Sequence, residues 1–219
     1  MTQTCPCCNE EKSQLLRNVD GYDYYQCLSC KIIFIDPRIL SEMDEGHSIV
    51  KYEGEYWENE LRSAKERSFG VALARMAEAF YYSRIPIQKF LDLGTGGGYF
   101  LDAIRCYLPS QSDIFYGIEK YPPSIDFRTK SKNYIIGDLK DLIDLKFDGG
   151  ICIEVLEHLT PVMFKGIIRQ LADVSNKGAL YIFNTGMPDY VLKEDPGYLD
   201  PVRRGHVVSY SLKAVDHII

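Results

Sequence analysis

From residue 85 onward, apolar positions come in short runs separated by stretches of helical periodicity. Phe90-Leu91-Asp92-Leu93, Ile114 to Glu119, Asn133 to Ile136, Gly150 to Glu154 and Ala179 to Phe183 read as five strands. Helices are expected over about 98–107 and 161–174. Strand and helix alternate, which predicts an α/β fold with a parallel sheet covered on both faces. Upstream, Leu61, Ala64, Phe69, Ala72, Leu73, Met76, Ala79 and Phe80 share one 3.6-residue face. They predict a single helix over 58–83, weakened at Gly70. Tyr24-Tyr25-Gln26 and Ile32 to Ile35 read as two short strands, the second ended by Asp36-Pro37.

Three regions follow: a cysteine-punctuated module over 1–36, a connector and packing helix over 37–84, and a main domain over 85–219. The connector is acidic, with Glu42, Asp44, Glu45, Glu53, Glu55, Glu58 and Glu60 against Lys51 alone up to residue 60, apart from Arg38 at its start. Tyr52-Glu53-Gly54-Glu55-Tyr56-Trp57 holds the only tryptophan of the chain. Aromatic residues at that density need a surface to pack on, so this segment is expected to lie on the main domain or form a lid.

The chain has 219 residues, 25 Lys plus Arg and 31 Asp plus Glu, a formal net charge of −6. That balance disfavours a nucleic-acid partner. No apolar run has membrane-spanning length and no basic-then-apolar leader opens the chain, so no membrane partner and a cytoplasmic location are expected.

Cys5-x2-Cys8 and Cys27-x2-Cys30 are the strongest local pattern. In a reduced compartment two such knuckles supply four thiolates for a tetrahedral, closed, structural Zn2+ site. Cys7 competes with its neighbours in the first pair, but only Cys5 and Cys8 repeat the spacing. Asp92-Leu93-Gly94-Thr95-Gly96-Gly97-Gly98 joins the first main-domain strand to a helix. Tyr99 stands where a dinucleotide fingerprint needs its third glycine, and no Gly-Lys-Ser/Thr follows, so nicotinamide, flavin and nucleoside triphosphate loops are excluded.

The remaining D-x-G-x-G-x-G pattern resembles the first motif of class I S-adenosylmethionine-dependent methyltransferases. The resemblance continues in order: Glu119 closes the second strand, Gly137-Asp138-Leu139 the third, and Glu154-Val155-Leu156-Glu157-His158 the fourth. The last matches the E-V-L-E-H signature of the small-molecule branch of that family. The resemblance implies a Rossmann-like three-layer sandwich with a mostly parallel sheet, plus a small N-terminal zinc ribbon. It implies S-adenosylmethionine held by Asp92, Gly94, Gly96, Gly98, Glu119, Asp138, Leu139 and Glu154. Glu119 would accept from the ribose hydroxyls, and Asp138 with Leu139 would meet the adenine. The implied reaction is in-line transfer of a methyl group to an O, N or C atom of a small polar metabolite. A non-catalytic cofactor-binding scaffold and a methyltransferase of nucleic acid or protein are the alternatives.

Two histidines are candidates for catalysis. His158 follows the fourth strand and has an ordinary pKa suited to a general base. His206 lies in Gly205-His206-Val207-Val208-Ser209-Tyr210-Ser211, which resembles the G-H-x-x-x-(F/Y)-S segment bordering the acceptor pocket in this branch. Arg203 and Arg204 could meet an anionic acceptor. Tyr25, Cys27, Cys30, Phe34 and Pro37 also follow the Y-x-C-x2-C-(G)-x-x-F-x-x-P pattern of zinc modules in related sugar methyltransferases, with Lys31 at the common glycine. The family's final antiparallel hairpin has no counterpart before residue 219. The exposed sheet edge this implies predicts pairing with a second copy, a homodimer.

Overall fold

The computed structural model describes residues 3–219. In chain order the elements are β1 (Ser13–Val19), β2 (Tyr22–Cys27), β3 (Ile33–Ile35), α1 (Pro37–Asp44), α2 (Gly54–Ser68), α3 (Val71–Tyr82), β4 (Phe90–Leu93), α4 (Tyr99–Tyr107), β5 (Phe115–Glu119), β6 (Tyr134–Ile136), β7 (Phe147–Ile153), α5 (Pro161–Asp173), β8 (Ser175–Asn184), α6 (Pro188–Lys193), β9 (Val208–Ser209) and α7 (Leu212–Val215). They divide into two units. One contains the chain up to Lys51, Glu154–Ile168 and Thr185–Ile219; the other contains Tyr52–Ile153 and Arg169–Asn184.

The second unit is built on a five-stranded sheet in the order β6-β5-β4-β7-β8, every neighbouring pair parallel. The near-continuous apolar runs of β4 and β7 are what a sheet covered on both faces requires, and all four residues of β4 are buried. Phe90, Phe100 and Phe115 meet at centroid distances of 5.4–6.2 Å. Around them Ala72, Ala79, Leu101, Ile104 and Ile151 complete one apolar cluster. Chain order reverses beside β4, which makes its carboxyl end the topological switch point of the sheet.

The helix expected over 58–83 is two helices. α2 begins earlier, at Gly54, and α3 restarts at Val71. Gly70 does more than weaken the helix: at φ −126° and ψ −96° it leaves helical geometry and becomes the N-cap of α3. The strand expected up to Glu154 ends at Ile153, and Glu154 turns out of it with φ +53°.

The first unit carries an antiparallel sheet, β1-β2-β3-β9. β1 escapes hydrophobic patterning because its burial does not alternate cleanly. Its turn carries a local signal: Asp20-Gly21, both at positive φ (+50° and +88°), is the two-residue mark of a hairpin. The fourth strand comes from the far end of the chain, where Ile33 pairs Ser209 and Phe34 pairs Val208. All of Ile32 to Ile35 is buried, together with Val207, Val208 and Tyr210. Tyr24 Oη donates to His206 O at 2.6 Å. Among the described residues, no helix is long and apolar enough to cross a membrane.

Candidate functional site

In the parallel-sheet unit the glycine loop leaves β4 and is pinned to β5. Gly94 and Thr95 N–H groups both donate to Ile118 O, at 3.0 and 3.1 Å. Gly94, Gly96 and Gly98 have φ of +73°, +58° and +76°, so the alternation of the motif is an alternation of left-handed residues. Space reinforces the requirement at two of them. A Cβ on Gly96 would stand 3.3 Å from Trp57 Cη2, and one on Gly98 only 2.3 Å from Thr129 Cγ2 and 2.8 Å from Tyr134 Cδ2.

Gly98→Ala is therefore expected to cost roughly 2–4 kcal/mol, summing left-handed strain and overpacking. Gly96→Ala, facing only the rim of one ring, should cost less. Denaturant midpoints of the two variants check this ranking, and equal losses would contradict it.

Glu119, at the end of β5, is buried and turned onto the loop. Its Oε2 accepts from Gly96 N–H at 2.8 Å and its Oε1 from Tyr121 N–H at 2.9 Å. Burial raises its pKa, and the N–H donors of Tyr121 and Gly96 oppose the rise. An ionised carboxylate has about four acceptor positions, so two remain for a diol. Asp92 is deeper. Its Oδ2 accepts from Thr95 Oγ1 at 2.5 Å, and burial raises its pKa to about 7, helped by the nearby charge of Glu119.

Asp138 and Leu139 stand at the end of β6 in a self-contained cap. Asp138 Oδ1 accepts from Leu139 N–H at 2.8 Å, its Oδ2 pairs with Lys120 Nζ at 3.0 Å, and its own N–H goes to Asp141. The N–H expected to face a ligand is thus held by the neighbouring side chain.

In the sequence Trp57 is legible only as an aromatic that needs a surface. The structure seats it against Gly96, with Nε1 donating to Tyr121 O at 3.1 Å. Tyr52 stacks on Tyr121 at 5.5 Å, and Tyr134 Oη donates to Gly96 O at 2.7 Å. The start of α2 therefore covers the glycine loop.

In the other unit His158 and His206, far apart in sequence, come together with ring centroids 4.8 Å apart. Each is oriented through Nδ1: His158 against Gly205 O at 3.1 Å, His206 against Tyr198 O at 2.7 Å. A carbonyl only accepts, so Nδ1 carries the proton in both rings and Nε2 holds the lone pair when the ring is neutral. Glu157, fully buried, completes the group with Oε1 3.8 Å from His206 Nε2. The sequence marks Glu157 only as a member of the Glu154–His158 motif and does not single out Thr185 or Tyr198 at all. Thr185 Oγ1 donates to Glu157 Oε2 at 2.8 Å, and Tyr198 Oη donates to Glu154 Oε2 at 3.2 Å. Glu154 adopts the left-handed conformation, as Asn9, Asp20 and Lys31 do. Arg203 and Arg204 are surface residues paired with Asp200 and Asp195.

The four cysteines also converge. Cys5 and Cys30 Sγ atoms are 3.5 Å apart, those of Cys8 and Cys27 3.6 Å, and all four lie within 4.8 Å of one another. Four thiolates at about 2.3 Å from one tetrahedral Zn2+ stand roughly 3.8 Å apart, so the set fits that ion. Cys7 stays outside it. Cys27 is held low, at about 7; burial opposes this, but backbone N–H groups of Cys30 and Ser29 and the neighbouring thiols outweigh it. Asn9 and Lys31 close the two knuckles at φ +60° and +67°. That geometry accounts for the glycine which Lys31 replaces.

No protein-family model matches the chain, and no curated protein matches it. Solved structures do. A candidate O-methyltransferase of Nostoc punctiforme PCC 73102 superposes with a TM-score of 0.51 at 15% identity, covering 72% of this chain and 52% of that one. The plantazolicin methyltransferase BpumL, in complex with SAH, gives 0.48 at 17% identity over 84% of this chain and 64% of its own. A methyltransferase of Clostridium acetobutylicum ATCC 824 gives 0.41 at 16%, over 72% and 58%. The chain thus spans about half to two thirds of the length of these structures. With the sheet order and the glycine loop after its central strand, the first likeness gives the chain a Rossmann-like fold shared with that candidate O-methyltransferase.

Proposed function

We propose that the chain is an enzyme that moves the methyl group of S-adenosylmethionine onto an O, N or C atom of a small polar acceptor. One observation carries this reading: the Glu119 carboxylate is locked onto the left-handed glycine loop through Gly96 N–H, with acceptor capacity to spare. A ribose diol is the ligand group that uses such a carboxylate. The bound cofactor supplies a methyl group activated by a sulfonium. The residues here do the rest. Gly94, Gly96 and Gly98 bring bare backbone to the ligand, Glu119 fixes the ribose, and Asp92 orients the loop through Thr95 Oγ1. Asp138 and Leu139 border the adenine position. His158 and His206 offer Nε2 lone pairs to take an acceptor proton. A general base is needed only where the acceptor begins as a hydroxyl or carbon acid; otherwise alignment alone suffices.

The cysteine set would hold a structural Zn2+ through Cys5, Cys8, Cys27 and Cys30, closing the knuckles of the antiparallel sheet. The net charge of −6 supports a small acceptor over a polyanion.

Glu119→Gln tests the assignment. The amide keeps one acceptor oxygen but turns its NH2 toward a backbone N–H, and it loses the charge that strengthens bonds from the diol. Calorimetric titration with S-adenosylmethionine should show one site per chain, weakened about 100-fold in the variant, equivalent to about 2.7 kcal/mol. An unchanged affinity would remove Glu119 from the site. Absence of binding to the folded wild-type chain would remove the methyltransferase reading.

A further inference from the structure

Glu157, His158 and His206 form a second cluster of metal-ligating groups, separate from the cysteines, with donor atoms all within 4.8 Å of one another. Three features distinguish it from a chance grouping. Glu157 is fully buried, and while Oε2 is satisfied by Thr185, Oε1 takes no hydrogen bond from the described residues. A carboxylate oxygen in that position loses its hydration and gains nothing in return unless a cation or a proton meets it. Next, that same oxygen points toward His206 Nε2, 3.8 Å away. Finally, both imidazoles are oriented through Nδ1 by backbone carbonyls, Gly205 O and Tyr198 O. This arrangement fixes the tautomer with the lone pair on Nε2 and is the usual outer support of a histidine that ligates metal.

We propose that Glu157, His158 and His206 bind a divalent transition-metal ion through one carboxylate oxygen and two imidazole nitrogens. Two nitrogen donors select a borderline ion such as Zn2+, Co2+ or Fe2+ over Mg2+ or Ca2+, which favour all-oxygen shells. Donors bound at about 2.1 Å to one ion stand roughly 3.0–3.4 Å apart, so the Glu157–His206 pair closes by under ~1 Å. Three protein ligands leave open positions, unlike the closed four-thiolate set. An ion held this way occupies the Nε2 lone pairs, so in the metal-loaded chain His158 and His206 serve as ligands and not as proton acceptors.

Cobalt distinguishes the two sets in the full chain. Thiolate ligands give intense charge-transfer bands, whereas a set of two imidazoles and one carboxylate gives only weak ligand-field bands. The metal-free wild type should take up two equivalents of Co2+ per chain, one with thiolate bands and one without. His206→Ala and Glu157→Gln should each weaken the second uptake at least tenfold while retaining the first, which also shows that the cysteine unit is folded. Uptake of a single, thiolate-bound equivalent by the wild type would overturn the proposal, as would a second uptake unaltered in both variants. S-adenosylmethionine titration is read separately, so loss of the metal proposal leaves the methyltransferase reading standing, and the reverse.

Discussion

Stripping metal from the four thiols with a chelator, or replacing one of them in Cys5→Ser, is expected to open both knuckles and release β1. Structural Zn2+ in small modules contributes an apparent energy of about 10–16 kcal/mol at neutral pH, and in those modules it is nearly all the folding energy. Here the share differs along the sheet. The two knuckles contain mostly polar residues, and β1 exposes Leu15 and packs little apolar surface. β3 is different: Ile33, Phe34 and Ile35 are buried, and the strand is paired on both sides, by β2 and β9. Metal loss should therefore melt the segment through Val19 and the turn over 28–31, with β3 and β9 retaining part of their protection through apolar burial. Hydrogen exchange resolved by peptide checks this. Amides of 5–19 should exchange at least 100-fold faster without metal, and those of β4 and β5 should change little. Equal protection with and without metal, after metal analysis shows it gone, would refute a structural role for the cluster.

Much of this is legible in the chain because local chemistry and long-range arrangement agree. Cys-x2-Cys spacing is a local constraint: each pair closes one knuckle, so its reading needs no knowledge of the rest of the fold. The D-x-G-x-G-x-G loop is similar, since its alternating left-handed positions can be met by little except glycine. The parallel sheet follows from apolar runs that leave no solvent face. What the pattern cannot supply is pairing across the chain. Nothing near Val208-Ser209 says that it completes a sheet begun at the opposite end of the sequence. Likewise Glu157 reads as an ordinary acid until Thr185, Tyr198 and His206 arrive around it from a distant segment. The split of the long helix at Gly70 is half visible. A glycine marks the place, but whether it bends or breaks a helix depends on the packing of α2 and α3, which no local rule contains.

Asp92→Asn is expected to stabilise the parallel-sheet unit, and to do so increasingly as pH rises. Asp92 is buried in β4, its pKa lifted to about 7 chiefly by loss of solvent, with the Thr95 hydroxyl pulling the other way. In the unfolded chain the same carboxyl ionises near ~3.9. Between these values the folded state holds a proton that the unfolded state has released. The unfolded state therefore binds fewer protons there, and stability falls as pH rises from about 4 to about 7. At one proton and about 1.36 kcal/mol per pH unit, the loss approaches roughly 4 kcal/mol as an upper bound and is flat above about pH 8. Asparagine keeps an oxygen to accept from Thr95 Oγ1 and has nothing to ionise, so it removes the pH-dependent part. Trp57 is the chain's single tryptophan and sits on the glycine loop, which makes its fluorescence a direct reporter of this unit. Urea midpoints at about pH 5 and pH 8 should show the variant ahead by a small margin at the lower pH and by about 2–4 kcal/mol at the higher. A difference that does not change with pH would mean that Asp92 is ionised throughout. The charge under the loop would then be permanent, held there by the Thr95 hydroxyl and by groups on the loop, and available at every pH to the ammonium end of a bound methyl donor.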